Sequence, residues 1–150
     1  MNLKVPKKKA PLTLHFVGGS KVSGSVFLSH QSRTRRGAER TLDLLNSDDM
    51  FFPFESEDTT AIRLVHKRNI VLITAHEDGE EGEPIGKRVN ISMVLTDGER
   101  VVGDLIIAQP EHKSRVLDFF NDNKGQFFSL VSKDKRYYIN VRHVEQVSSE

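Results

Sequence analysis

Gly18-Gly19-Ser20-Lys21-Val22-Ser23-Gly24-Ser25-Val26-Phe27-Leu28 and Asp97-Gly98-Glu99-Arg100-Val101-Val102-Gly103-Asp104-Leu105-Ile106-Ile107 follow one pattern. Each passage opens on a glycine-bearing turn, and each carries a second glycine at the same depth in the run that follows. Gly19 stands as far from Gly98 in the chain as Gly24 does from Gly103. Ahead of each turn the residues alternate: Leu12, Leu14 and Phe16 against Thr13 and His15, then Ile91, Met93 and Leu95 against Ser92 and Val94. A period of two closed by a turn glycine predicts a β-hairpin in each half. The second glycine predicts a bulge or sharp bend, where a small sheet curls toward closure.

The correspondence continues outward. Arg40-Thr41-Leu42-Asp43-Leu44-Leu45-Asn46 matches Arg115-Val116-Leu117-Asp118-Phe119-Phe120-Asn121, two short helices with a terminal Asn suited to a C-cap. Phe51-Phe52-Pro53-Phe54 matches Phe127-Phe128-Ser129-Leu130, an aromatic strand whose Pro in the first copy predicts an edge position. The stretch from Leu64 to Ile73 then matches that from Tyr138 to Val147, two strands joined by a tight Arg-Asn or Arg-His turn. Each copy has a size at which a lone domain is marginal, so two packed together are the stabler arrangement.

The expected fold is therefore mainly β: two tandem small SH3-like or Sm-like barrels, each with a short helix inserted after the second strand. Residues 1–10 read as a basic N-terminal tail, 11–75 as the first barrel repeat, 76–87 as an acidic linker and 88–150 as the second repeat. Glu77, Asp78, Glu80, Glu81 and Glu83 make the linker self-repelling and solvated.

The two glycine hairpins, with the closing Lys67-Arg68-Asn69-Ile70-Val71 and Val141-Arg142-His143-Val144, resemble the small bent barrels of the Sm and Hfq class. The Arg-x-x-Asp-Leu-Leu-Asn pattern followed by Phe-Phe-Pro-Phe also resembles an uncharacterised bacterial family of this barrel type. The chain departs from Sm proteins in placing the helix between the second and third strands and in lacking the Asp and Asn pair that the resemblance would place at an RNA pocket. Arg36-x-x-x-Arg40 is similar to the arginine pair with which PilZ domains bind cyclic di-GMP. The later Asp/Asn-x-Ser-x-x-Gly of that family is missing, since Asn90-Ile91-Ser92 is followed by Leu95 where Gly would stand.

Net charge is +1, from 22 Lys+Arg against 21 Asp+Glu, so bulk electrostatics do not mark a nucleic-acid binder. The absence of Cys removes disulfides, thiolate metal sites and cysteine nucleophiles. Apolar runs such as Leu105-Ile106-Ile107-Ala108 are too short to span a bilayer, and Met1 to Lys9 leads into no apolar signal core. A cytoplasmic location without membrane contact is expected.

Chemistry-bearing residues are concentrated in few places. Arg33, Arg35, Arg36 and Arg40 sit in a loop that the second copy does not share, and arginines there can grip phosphates bidentately. Lys7, Lys8 and Lys9 can add salt-dependent affinity for nucleic acid or an acidic partner. A minor candidate is the hairpin where Lys133, Lys135 and Arg136 interleave with Tyr137 and Tyr138. The paired phenylalanines fit core and inter-repeat packing, and Asp43 and Asp118, recurring inside apolar helices, fit capping. His15, His30, His66, His76, His112 and His143 fall at no metal-ligand spacing, and no nucleophile elbow or phosphate loop is present. No cofactor and no catalysis are expected. The expected function is a non-enzymatic interaction or regulatory module that binds a protein partner or self-associates, with nucleic-acid or nucleotide binding through Arg33–Arg40 and the N-terminal lysines as the alternative.

Overall fold

The computed structural model describes residues 7–30, 37–76, 85–108, 115–123 and 126–149. In chain order these form β1 (Lys7–Phe16), β2 (Lys21–Ser29), α1 (Thr41–Leu45), β3 (Phe51–Ser56), β4 (Ile62–His66), β5 (Ile70–His76), β6 (Lys87–Leu95), β7 (Arg100–Ile107), α2 (Val116–Asp122), β8 (Phe127–Val131), β9 (Lys135–Asn140) and β10 (Val144–Ser149). Single 3-10 turns at Lys67–Asn69 and Val141–His143 join β4 to β5 and β9 to β10.

Alternation along β1 turns Leu12 and Leu14 inward, and along β2 does the same for Val26 and Leu28. The β1–β2 turn is closed by Phe16 N–H to the Ser20 carbonyl, and the β6–β7 turn by Leu95 N–H to the Glu99 carbonyl, at 2.9 and 2.8 Å. Gly19 at φ +94° and Gly98 at φ +88° supply the left-handed backbone both turns require. Gly24 and Gly103 do something else. Neither has a positive φ; each lets the next strand come close, since a Cβ on Gly24 would strike the Glu55 carbonyl and meet the Phe54 ring at 2.7 Å, and one on Gly103 would meet Leu130 and the Val131 carbonyl at 2.9 Å.

All ten strands lie in one antiparallel sheet, in the order β10-β6-β7-β8-β9-β5-β1-β2-β3-β4. The two halves, expected from the sequence as tandem barrels packed together, share one continuous open sheet, because β9 pairs with β5 along Leu72↔Ile139, Ile73↔Tyr138, Thr74↔Tyr137, Ala75↔Arg136 and His76↔Lys135. Two cores result. The first gathers Leu12, Leu14, Val26, Leu45, Phe52, Phe54 and Ile73, and takes in Phe127 and Tyr138 from the second half. The second gathers Ile91, Met93, Leu105, Phe128 and Leu130, and takes in Val71 and Leu72 from the first. The junction strands are thus buried on both faces, which the unbroken apolar run Ile70-Val71-Leu72-Ile73 permits. Each large apolar side chain so buried contributes about 1.5–3 kcal/mol.

The helices are short and lie over these cores, α1 through Leu45 and α2 through Phe119 and Phe120, whose rings meet Phe128 edge-on at 5.8 and 5.2 Å. Asp43 accepts from the Arg40 backbone N–H at 2.8 Å, a cap at the start of α1. Asp118 is instead held by the Arg115 guanidinium at 3.0 Å. Asn46 is the C-cap residue of α1, but α2 runs past Asn121 to Asp122, with Asn123 as its C-cap. Pro53 does not mark an edge. β3 has β4 outside it, and Pro53 is accommodated because the β2 ladder stops at Phe54. Of the expected linker, residues 77–84 lie outside the described residues; His76 closes β5 and Lys87 opens β6.

Candidate functional site

Where the halves meet, the two 3-10 turns come together around a hollow of about 460 Å³ lined by Met50, His66, Lys67, Arg68, Gln126, Val141 and Arg142. Each turn is started by a side chain that replaces a helix cap. His66 Nδ1 accepts from Arg68 N–H at 3.0 Å, and Asn140 Oδ1 accepts from Arg142 N–H at 3.0 Å. Asn140 is fully buried and its amide also donates to the Ile70 carbonyl at 2.9 Å, so one side chain ties the second turn to β5. His143 donates from Nε2 to the Arg68 carbonyl at 3.0 Å. Nδ1 of His143 is then left to accept from the Thr96 hydroxyl at 3.2 Å.

Lys67 is the unusual group. It is 1% exposed, and its ammonium donates to the Ser47 carbonyl at 3.1 Å and the Ser47 hydroxyl at 3.0 Å. Burial pulls its pKa below the ordinary lysine value, while the carboxylates of Asp49, Asp48 and Glu39 push the other way. Arg68 and Arg142 are exposed beside it. Asn46 closes the junction from α1: its Oδ1 accepts from Gln126 N–H at 3.1 Å and Phe127 N–H at 2.8 Å, and its amide donates to the Phe127 carbonyl at 3.1 Å.

The outer edges of the sheet differ in character. β4 exposes Ile62 and Leu64, and Met50 and Phe51 extend this apolar strip, with the Phe51 ring edge-on to His66 at 4.6 Å. β10 exposes Glu145, Gln146, Ser148 and Ser149.

Among the residues singled out in the sequence, Arg33, Arg35 and Arg36 lie outside the described residues, and Arg40 stands at the N-cap of α1. Lys7, Lys8 and Lys9 are the first three residues of β1 rather than a segment ahead of it, paired with Ser29, Leu28 and Phe27, and Lys9 reaches Glu55 at 2.7 Å. Lys133 is exposed in the β8–β9 turn. Lys135, Arg136 and Tyr137 belong to the junction strand β9, and Tyr138 is in the first core, so this hairpin is not an open stacking platform. Of the phenylalanines in β3 only Phe51, expected in the core, is exposed. Among the described residues, Arg40 follows Glu39, which bonds Ser29, the partner of Lys7 in β1, while Lys133, Lys135, Arg136 and Tyr137 belong to the β8–β9 hairpin of the other half. What sequence reasoning passed over are Lys67, Arg68, Arg142 and Asn46, although the turns Lys67-Arg68-Asn69 and Val141-Arg142-His143 recur at matched places.

His15 and Glu99 form a second contact between halves. His15 Nδ1 is 3.8 Å from Glu99 Oε2, neither atom has a hydrogen-bond partner among the described residues, and His15 Nε2 lies 3.1 Å from the Thr74 hydroxyl. Burial holds the imidazole pKa below its ordinary value against the opposing pull of Glu99. Among the described residues no three His, Asp or Glu side chains converge as a metal site, and no helix is long and apolar enough to cross a membrane. No protein family, curated protein or solved structure matches this chain.

Proposed function

We propose that this chain is a non-enzymatic interaction module, built as two tandem small barrels of the SH3-like or Sm-like kind, that recruits a protein partner by adding a strand to its sheet. What carries the reading is β4, a strand at the end of the sheet with no strand outside it among the described residues, whose Ile62 and Leu64 are exposed beside the exposed Met50 and Phe51 at the start of β3. Proteins usually blunt such an edge with charge, proline or a covering element. Here Arg63 is the one Lys or Arg on the strand. An extended peptide added there draws affinity from main-chain hydrogen bonds and selectivity from alternate side chains. The repeat itself is supported by the matching neighbour orders β5-β1-β2-β3-β4 and β10-β6-β7-β8-β9.

The test is selection of extended peptides from a displayed library against wild-type protein, with Leu64→Lys as the counter-screen. Peptides that bind wild type and lose at least tenfold against Leu64→Lys support the reading. A library that yields none, with a monomeric wild type, removes it.

The alternative reading is nucleic-acid or nucleotide binding through Arg33 to Arg40 and the N-terminal lysines, to which the junction hollow, where exposed Arg68 and Arg142 flank Met50 and Val141, adds a further candidate surface. Fluorescence anisotropy with short single-stranded RNA and DNA at low salt tests it. Binding that is lost in Arg68→Ala/Arg142→Ala supports the hollow, and no binding at low salt ends this reading.

A further inference from the structure

We propose that the partner at this edge is a second copy of the chain, docked head to tail with β4 of one molecule on β10 of the next, in the register already used inside the chain between β9 and β5. The inference rests on the edge-pairing reading above and names its partner.

The two halves use the same neighbour order, so β4 holds the place of β9 and β10 holds the place of β5. Residues can be matched through their ladders. Phe51↔His66 corresponds to Phe127↔Asn140, which sets Leu64 against Tyr138 and Arg63 against Tyr137. On the other side, β5 meets β1 with a register shift after Ile70, and β10 meets β6 with the same shift after Val144, which sets Val147 against Ile73 and Ser148 against Thr74. The internal pairs Ile73↔Tyr138 and Thr74↔Tyr137 then become Val147↔Leu64 and Ser148↔Arg63 between molecules.

Burial differs at these matched places as a missing neighbour requires. Tyr138 is 1% exposed and its counterpart Leu64 71%; Phe127 is 1% exposed and Phe51 46%. The polar clamp is matched too. Asn46 holds the Gln126 and Phe127 backbone, and the corresponding residues are Asn121, exposed on α2 beside β10's half, and Met50 and Phe51 beside β4. Extending the register one pair sets Ile62 opposite Ser149, which borders a depression of about 550 Å³ lined by the cationic Lys87, Arg88 and Arg115 as well as by Val116 and Leu117. One feature weakens the contact relative to the internal one: Glu145 and Gln146 stand where β5 has the buried Val71 and Leu72. The association is therefore expected to be reversible and concentration-dependent. Because the two surfaces differ, it is heterologous and builds rings or open chains rather than a two-fold dimer.

Sedimentation velocity and light scattering on the full chain, from a few to several hundred micromolar, test the proposal, with circular dichroism establishing that each variant is folded. Wild type is expected to form species larger than the monomer, and Leu64→Lys to remain monomeric. Ser148→Arg places like charge opposite Arg63 and is expected to weaken association at least tenfold, while adding Arg63→Glu to Ser148→Arg restores it. A wild type that stays monomeric throughout overturns the proposal. So does Ser148→Arg associating as well as wild type, or no recovery in the double variant. A monomeric wild type that still binds a displayed peptide lost in Leu64→Lys leaves the interaction-module reading standing and removes only the self-pairing.

Discussion

Replacing Gly24 with Ala adds one methyl group at the tightest strand contact in the first half. The new carbon would strike the Glu55 carbonyl and approach the Phe54 ring at 2.7 Å. Neither obstacle can turn aside. The carbonyl belongs to the β3 backbone, paired through Gly24↔Ser56, Ser25↔Glu55 and Val26↔Phe54, and the ring is buried in the first core. Relief requires β3 to move away from β2, so overpacking at about 1–3 kcal/mol is joined by loss of ladder hydrogen bonds at about 1 kcal/mol each. Reduced freedom of the unfolded chain returns about 0.4–1 kcal/mol. The net expectation is a loss of about 2–4 kcal/mol, a large part of a typical domain stability of about 5–15 kcal/mol. Gly103→Ala is expected to cost less, about 1–2 kcal/mol, because its nearest contacts, Leu130 and the Val131 carbonyl, stand farther off at 2.9 Å and β7 meets β8 at the single pair Asp104↔Val131. Urea unfolding followed by circular dichroism measures both, with the slope of the transition checked against wild type. A Gly24→Ala midpoint equal to or above wild type would refute the close-approach argument. Equal losses at the two glycines would refute the ranking by closeness of approach.

Asn46→Ala leaves the Gln126 and Phe127 amides without their acceptor and is expected to cost about 1–3 kcal/mol, with faster hydrogen exchange at the start of β8; unchanged exchange there would show that the clamp is idle. His15 has a folded-state pKa below its unfolded value of about 6.5, so as pH falls below that value the unfolded chain takes up a proton that the folded chain resists, and stability drops. Urea midpoints at pH 7.5, 6.5 and 5.5 are expected to fall less in His15→Gln than in wild type, and parallel profiles would contradict this. Replacing Arg33, Arg35, Arg36 and Arg40 together with Ala is expected to shift stability by no more than about 1 kcal/mol per residue, while flattening the salt dependence of any nucleic-acid binding detected by anisotropy.

Much of this architecture is set by local rules that a sequence displays directly. Leu12 and Leu14, Ile91 and Met93 alternate because a strand turns every second side chain to the core. Gly19 and Gly98 mark their turns because few other residues accept a positive φ. The matched order of hairpin, short helix and three strands was legible for the same reason, as were the capping role of Asp43 and the core role of Phe52, Phe54, Phe127 and Phe128. The pairing of β9 with β5 was not. It joins strands far apart in the chain, and the run Ile70-Val71-Leu72-Ile73, which suits a strand covered on both faces, is equally at home in any buried strand. Pro53 misled because proline excludes one ladder, and only the registers of β2 and β4 decide which. Asn46 and Lys67 read as an ordinary cap and an ordinary turn cation, since nothing within a few residues of either names its partners at Phe127 and Ser47. Local alternation and turn chemistry determined where the chain extends and where it folds back. Which edges meet, and which polar side chains the meeting buries, depended on the burial of both faces of β5, a property of the assembled sheet alone.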